Sequence, residues 1–304
     1  MDVYQIVTDR IISIIEQQQV LPWRKPWATS SGLPKNIISG KEYRGVNLIL
    51  LNQQYSSPYW MTYKQAVDKG GNVRKGEKSS LCVFWKLNYL QGTGGTGGTD
   101  PEVVTPVTRV TPEKQYIRNA PILKYYNLFN MEQCDGIESP TQEVPTYQFT
   151  PIEKAEQIVS GMKDRPEISY GGNRASYSPV MDSIRMPYED RFEKSEEFYS
   201  VLFHELGHAS GHRSRLARKE VMEANEFGAE SYGAEEMCAE FCSSYLCQVA
   251  GISNQTVELA ASYIDNWLKV IRKDKKMLVV AAARAQAAAD FILGRKFGEG
   301  EHDL

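Results

Sequence analysis

The sequence predicts an α+β chain in two domains. Three observations predict it. The chain has 304 residues of which 41% are hydrophobic, enough for two ordinary cores. Short helices and apolar strands fill the first 136 residues, whereas beyond residue 150 a helix and three short strands give way to long helices. Charge divides at the same place: residues 1–90 hold 12 Lys and Arg against 6 Asp and Glu, and the remainder holds 23 against 32. A basic part joined to an acidic part is the footprint of a polyanion-binding module beside a module of another kind. The net charge of -3 alone implies no partner.

The elements follow in order. Residues 2–20 form an amphipathic helix, with Asp2 able to cap it and Val3, Ile6, Val7, Ile11, Ile14 and Ile15 at helical spacing. The prolines of LPWRKPW end it and force an extended path. SGKEYRGVN is a turn into a second helix from about Val46 to Gln54, and Thr62 to Lys69 is a third, broken by Gly70 and Gly71. SLCVFWKLNYL, residues 80–90, and ILKYYNLF, residues 122–129, are strands. Between them, residues 91–115 are rich in Gly, Thr and Pro and form a flexible loop inside the first domain. That domain covers residues 1–136, a polar, proline-containing linker covers 137–150, and the second domain covers 151–304. The second domain opens with a helix at about Pro151 to Lys163. Strands follow at Ile168–Tyr170, Ala175–Ser178 and Ser183–Met186. Ser195 caps the next helix, which has Glu196 and Glu197 in its first turn and stops at Gly211. Further helices run from Ala234 to Ala250, stopping at Gly251, and from Asn254 to Leu293 with a break at Arg272–Lys275.

The odd cysteine count, Cys82, Cys134, Cys238, Cys242 and Cys247, resembles no disulfide framework and points to a reducing, cytoplasmic setting. Cys238 and Cys242 read as small apolar core groups. The first ten residues lack the pattern of a signal peptide, and no run of about 18 apolar residues suits a membrane span.

The chemistry concentrates in FYSVLFHELGHASGH. On a helix His204 and His208 share a face, so both imidazoles reach one divalent ion, and Glu205 lies beside the first ligand where a carboxylate acts as base. This is the pattern of a metallopeptidase. A third ligand is needed. A histidine six residues after His208 is excluded because Ser214 stands there, and Gly211 separates His212 from the helix. SYGAEEMCAEF offers Glu235, Glu236 and Glu240; the spacing E-x-x-A-E favours Glu236 as ligand, with Glu240 accepting a hydrogen bond from a ligand histidine. Strand Ser183–Met186 is expected at a sheet edge, able to pair with an extended peptide.

Four of the five tryptophans lie in the first 90 residues, interleaved with cations. Aromatic faces stack on unpaired bases while Lys and Arg track phosphates, a mixture suited to single-stranded nucleic acid; small cores also use tryptophan. The candidates are Trp23, Arg24, Lys25, Trp27, Lys41, Tyr43, Arg44 and Lys75, with Trp23 and Trp27 least like core positions because prolines and charges surround them.

PWRKPW, SGKEYRGVNLILL and the series YSPVMDSIRMP, HELGHASGHRSRL and YGAEEMCAEF resemble the ArdC-type antirestriction proteins of conjugative plasmids, in order and over nearly the whole chain. The resemblance implies an N-terminal domain that binds single-stranded DNA and a C-terminal zincin domain similar to the SprT/Spartan proteases, in a bacterial cytoplasm. It implies a zinc site, with Mn2+ the other candidate ion, at His204, His208 and Glu236, with Glu205 as base. The third histidine of the Spartan-like pattern is missing. The implied partners are single-stranded DNA and a protein substrate, either a restriction endonuclease or another DNA-bound protein, with no membrane. Two readings follow. In the first, a peptidase tethered to incoming DNA, its activity dependent on that DNA, protects it from restriction. In the second, the protein shields the DNA by binding alone and the metal site is structural.

Overall fold

The computed structural model describes residues 2–18, 21–24, 33–51, 55, 57–86, 89–91, 116–118, 122–138, 140, 151–222, 230–252 and 261–295. Residues 92–115 of the loop expected at 91–115, most of the expected linker, Lys25 and Trp27 lie outside them.

Helix α1, Val3–Gln18, is capped by Asp2, whose carboxylate accepts from Tyr4 N–H at 3.0 Å. Its apolar stripe, Val7, Ile11, Ile14 and Ile15, is buried. The proline segment makes one 3-10 turn, Pro22–Arg24. Strand β1, Lys35–Asn36, precedes helix α2, Val46–Leu50. Gly45 enters that helix at φ 58°, in the left-handed region that suits glycine. Strand β2, Tyr59–Met61, leads to helix α3, Tyr63–Asp68, where Thr62 and Gln65 form a reciprocal capping box. After Gly70, at φ 80°, come β3, Asn72–Val73, and β4, Ser80–Lys86. Strands β5, Tyr89–Gln91, and β6, Tyr116–Arg118, pair antiparallel with each other. Strand β7, Ile122–Asn130, returns to the first sheet, in the order β1-β2-β7-β4, and β8, Cys134–Asp135, pairs with β3.

The second half opens with helix α4, Pro151–Gly161. A three-stranded sheet follows: β9, Glu167–Tyr170; β10, Ser176–Ser178; and β11, Ser183–Met186. Its order is β10-β11-β9, so β11 is central, antiparallel to β10 and parallel to β9. The expectation that Ser183–Met186 is an edge strand is thereby corrected: both its backbone edges are already paired. Helix α5, Ser195–Ala209, is followed by α6, Lys219–Met222, then α7, Glu230–Ala250, α8, Ala261–Lys273, and α9, Met277–Ile292. Gly251, at φ 76°, ends α7 as expected. The break between α8 and α9 is made by Asp274, whose carboxylate accepts from Lys276 N–H at 2.8 Å. Ser195 is the first helical residue rather than the cap, its hydroxyl donating to Glu189 at 2.7 Å. The five cysteines are free, and Cys238, Cys242 and Cys247 are buried. Among the described residues, no helix is long and apolar enough to cross a membrane.

The chain divides into two compact units, one of residues 1–83 with 125–297, the other of 84–124 with 298–304. The first unit therefore holds parts of both halves of the sequence, and its core shows how. Trp23 is fully buried, edge-on to Phe241 at 5.0 Å and to Trp267 at 6.1 Å. Tyr245 of α7 donates its hydroxyl to Gly45 O at 2.9 Å, and Arg44 pairs with Asp290 of α9. Gly45 N–H donates to Gln286 Oε1 at 3.0 Å. Asn47 caps the other side, exchanging two hydrogen bonds with the backbone of Val83.

Candidate metal centre

Helix α5 presents His204 and His208 on one face, one turn apart, as the i,i+4 spacing requires. Their Nε2 atoms are 3.1 Å apart. Helix α7 packs across α5, and the two approach closely at Gly207, where an added Cβ would lie 3.1 Å from Ala239 Cα and 3.3 Å from Cys242 Cβ. This crossing delivers Glu236. Its Oε2 lies 3.5 Å from His204 Nε2, and its Oε1 lies 3.4 Å from His208 Nε2. The ligand atoms of His204, His208 and Glu236 all fall within 4.8 Å of one another. Two imidazoles and a carboxylate form a donor set that suits Zn2+ and other first-row divalent ions.

The electrostatics ask for a cation at this point. Burial works against charge on His208, but hydrogen bonds with Glu235 and Glu236 outweigh it and its imidazole is pushed up to about 10. Burial also works against charge on Glu236, yet His204 and His208 hold its carboxyl well below the usual carboxylate range. The carboxylates of Glu235 and Glu236 thus favour positive charge at this point despite burial. The residues present fit a divalent metal. Glu205, 7% exposed, follows the first ligand on the same helix.

The carboxylate partner of His208 differs from expectation. Glu235, not Glu240, stands against His208, with Oε1 3.2 Å from Nδ1. Consecutive helix positions diverge by about 100°, so Glu235 and Glu236 straddle the imidazole, one at each nitrogen. Glu240 is buried further along α7. Glu235 is in turn gripped by Arg218, which donates from Nε to Oε2 at 2.9 Å and from Nη2 to Oε1 at 2.6 Å. His212 turns away from the ligand group, its Nδ1 2.8 Å from Ser214 Oγ and 3.7 Å from Asp182 Oδ2. Helix α5 ends at Ala209 with Ser210 as its C-cap, and Gly211 is required beyond it for space rather than for a left-handed turn: a Cβ there would meet Val221 Cγ2 at 2.5 Å and Arg218 Cζ at 2.9 Å.

A second buried guanidinium ties the sheet to this helix. Arg215 donates to Ala209 O at 2.7 Å, to Asp164 O at 2.9 Å and to Tyr177 Oη at 3.3 Å, and pairs with Asp182. Asp182 sits at φ 46° in the turn between β10 and β11, so Arg215 fixes that hairpin against the end of α5. Neither arginine announces itself in the sequence beyond a basic stretch, HRSRLAR, after the last histidine.

The expected nucleic-acid residues divide sharply. Trp23 belongs to the core and offers no stacking face. Tyr43 is 4% exposed and its hydroxyl accepts from Asn36 Nδ2 at 3.2 Å. Arg44 is committed to Asp290. Both expectations that tie Trp23 and Tyr43 to unpaired bases are corrected: the aromatic surface goes to packing. Arg24 falls in the 3-10 turn, and Lys41 and Lys75 are exposed. Among the described residues up to 136, the aromatic side chains that face solvent are Tyr63, Tyr125 and Tyr126, the last two in the KYYN run of β7 at 44% and 48% exposure.

Residues 1–129 match the family model described as the N-terminal domain of anti-restriction factor ArdC, and residues 153–284 match that of a zincin-like metallopeptidase. The chain is 33% identical over 300 residues to the uncharacterized protein y4eC of Sinorhizobium fredii, covering 96% of this chain and 91% of that protein. It is 35% identical over 298 residues to a DNA primase TraC of Escherichia coli, covering 95% of this chain but 27% of the primase. A second TraC is 34% identical, with 20% of its length covered, so the chain spans about a quarter or less of these primases. Among solved structures, the metal-free antirestriction ArdC protein from the R388 plasmid superposes with a TM-score of 0.70 at 32% identity, covering 96% of this chain and 97% of that one. Its Mn(II)-bound form gives 0.69, covering 97% and 98%.

Proposed function

This chain belongs to the ArdC antirestriction family, and we propose that it binds single-stranded DNA entering a recipient cell and protects it from restriction through a metal-dependent peptidase centre acting on DNA-associated proteins in the bacterial cytoplasm. The observation that carries the peptidase reading is the convergence of His204, His208 and Glu236 with Glu205 held on the same turn of α5. A divalent ion, Zn2+ in this reading with Mn2+ as the other candidate, supplies Lewis acidity toward a carbonyl oxygen and a water. The chain's residues do the rest. The Glu205 carboxylate takes a proton from the attacking water and passes it to the departing amide nitrogen. A purely structural site has no need of a carboxylate there. The outer backbone edge of β10, on the hairpin fixed by Arg215, is where an extended peptide can add as a further strand. Exposed Lys41, Lys75, Tyr125 and Tyr126 offer cations for phosphates and rings for unpaired bases.

The test uses the full chain with Zn2+ or Mn2+, single-stranded DNA and a protein bound to that DNA, read as fragments on a gel. The wild type cuts the bound protein in the presence of DNA, and Glu205→Gln does not. A wild type that binds DNA and metal yet leaves every bound protein intact contradicts the peptidase reading and supports shielding by occupancy.

A further inference from the structure

We propose that Arg218 is a positioning residue for the ligand His208, acting through Glu235; this rests on the metal-centre reading above. The guanidinium is buried, with a side-chain exposure of 7%, next to an equally buried carboxylate. Such a pair loses the hydration of both charges and survives only where its remaining polar atoms are satisfied. Here they are. Besides its two-pronged grip on Glu235, Arg218 donates from Nη1 to Ser210 Oγ at 2.8 Å and from Nη2 to Gly207 O at 2.7 Å. The last two acceptors lie at the end of α5, the helix that carries His208.

The fork therefore fixes the carboxylate in plane and against the ligand helix at once. Glu235 Oε1, held by Arg218 Nη2 at 2.6 Å, is the oxygen that meets His208 Nδ1 at 3.2 Å. When the imidazole is neutral, a carboxylate fixed at Nδ1 makes that nitrogen the donor and leaves the Nε2 lone pair facing the point where His204 Nε2 and Glu236 converge. The local chain is shaped around this arrangement. Gly211 leaves the space that the guanidinium occupies, and Ala217 takes a left-handed φ of 49° that turns Arg218 inward. Arg218 N–H is anchored on Gly211 O at 2.9 Å. A lysine would keep the charge but has no planar fork with which to hold both carboxylate oxygens.

The test titrates Co2+ alone into metal-stripped full-length protein and follows visible absorption and affinity, with near-ultraviolet circular dichroism confirming the fold. Arg218→Lys is expected to bind Co2+ about 10–100-fold more weakly, the usual effect of removing an outer partner of a ligand histidine, and to shift the absorption bands. A variant that melts earlier yet keeps wild-type Co2+ affinity and bands shows a merely structural arginine and overturns the proposal. If Arg218→Lys does not fold, Glu235→Gln, of the same shape, carries the test: a similar loss supports the relay, and wild-type affinity overturns it. Failure of the wild type to bind Co2+ at all overturns the metal-centre reading and this proposal together, an outcome distinct from the other two.

Discussion

At the level of single residues, the two histidines and Glu205 are legible in the sequence because their relation is local: four residues on one helix set the geometry. The proposed third ligand is only half legible. Glu235, Glu236 and Glu240 are equivalent until the crossing of a second helix decides which carboxylate points where, and it gives Glu236 to both histidines and Glu235 to Nδ1 of His208. Two predictions belong here. Glu236→Gln should weaken Zn2+ or Mn2+ binding by more than the roughly 10–100-fold typical of outer-shell changes, whereas Glu240→Gln should leave it at the wild-type value in the same calorimetric titration. Equal losses would return the ligand assignment to the ambiguity of the sequence. The second concerns pH. The His208 imidazole of the folded, metal-free protein is raised from 6.5 to about 10. Its contribution to stability is therefore fully present below pH 6.5 and is lost as pH rises toward 10. The melting temperature of metal-stripped protein should fall from pH 6.5 to 9, before thiol ionisation adds to it, and saturating Mn2+ should remove the decline. A flat profile without metal would show that Glu235 and Glu236 do not hold the proton.

At the level of elements, most helices were legible from their apolar stripes and stop signals, and Thr62, Asp2 and Gly251 terminate theirs as their chemistry suggests. Sheet order was not. Periodicity marks Ser183–Met186 as a strand but says nothing about its neighbours, and the parallel partner β9 comes from across the intervening β10. The contact of α5 with α7 was equally hidden, because Gly207 looks like an ordinary residue within the HELGH motif. Its role is spatial: the missing Cβ lets Ala239 and Cys242 approach. Gly207→Ala gains helix propensity but must push the helices apart by a few tenths of an ångström. Overpacking of this kind costs about 1–3 kcal/mol. Denaturant unfolding of the metal-free variant should show that loss, and metal affinity should drop with it because His208 and Glu236 lie on the two displaced helices. Unchanged stability would mean that the helices are not locked at this crossing.

At the level of the whole molecule, the two halves expected from composition match two family models, yet residues from both lie in one compact unit. Trp23 illustrates why this was illegible. Prolines and cations surround it in sequence, which suggests a surface ring, but Phe241 and Trp267, more than two hundred residues away, enclose it. The same holds for the EYRGVN segment: its Arg44, Gly45 and Asn47 fasten α2 to α7, α9 and β4 rather than to a ligand. The residues near the N-terminus thus brace the helix that carries Glu235 and Glu236, and the basic surplus of this half is left to exposed side chains such as Lys41 and Lys75. The central claim, that protection of incoming DNA runs through the peptidase centre, is tested most directly by plasmid transfer into restricting and non-restricting recipients, comparing the wild type with Glu205→Gln at matched protein levels. Loss of protection in the restricting recipient alone, with single-stranded DNA binding retained, is the predicted result. Undiminished protection by Glu205→Gln would contradict the claim and leave the protein as a shield whose metal centre serves another purpose.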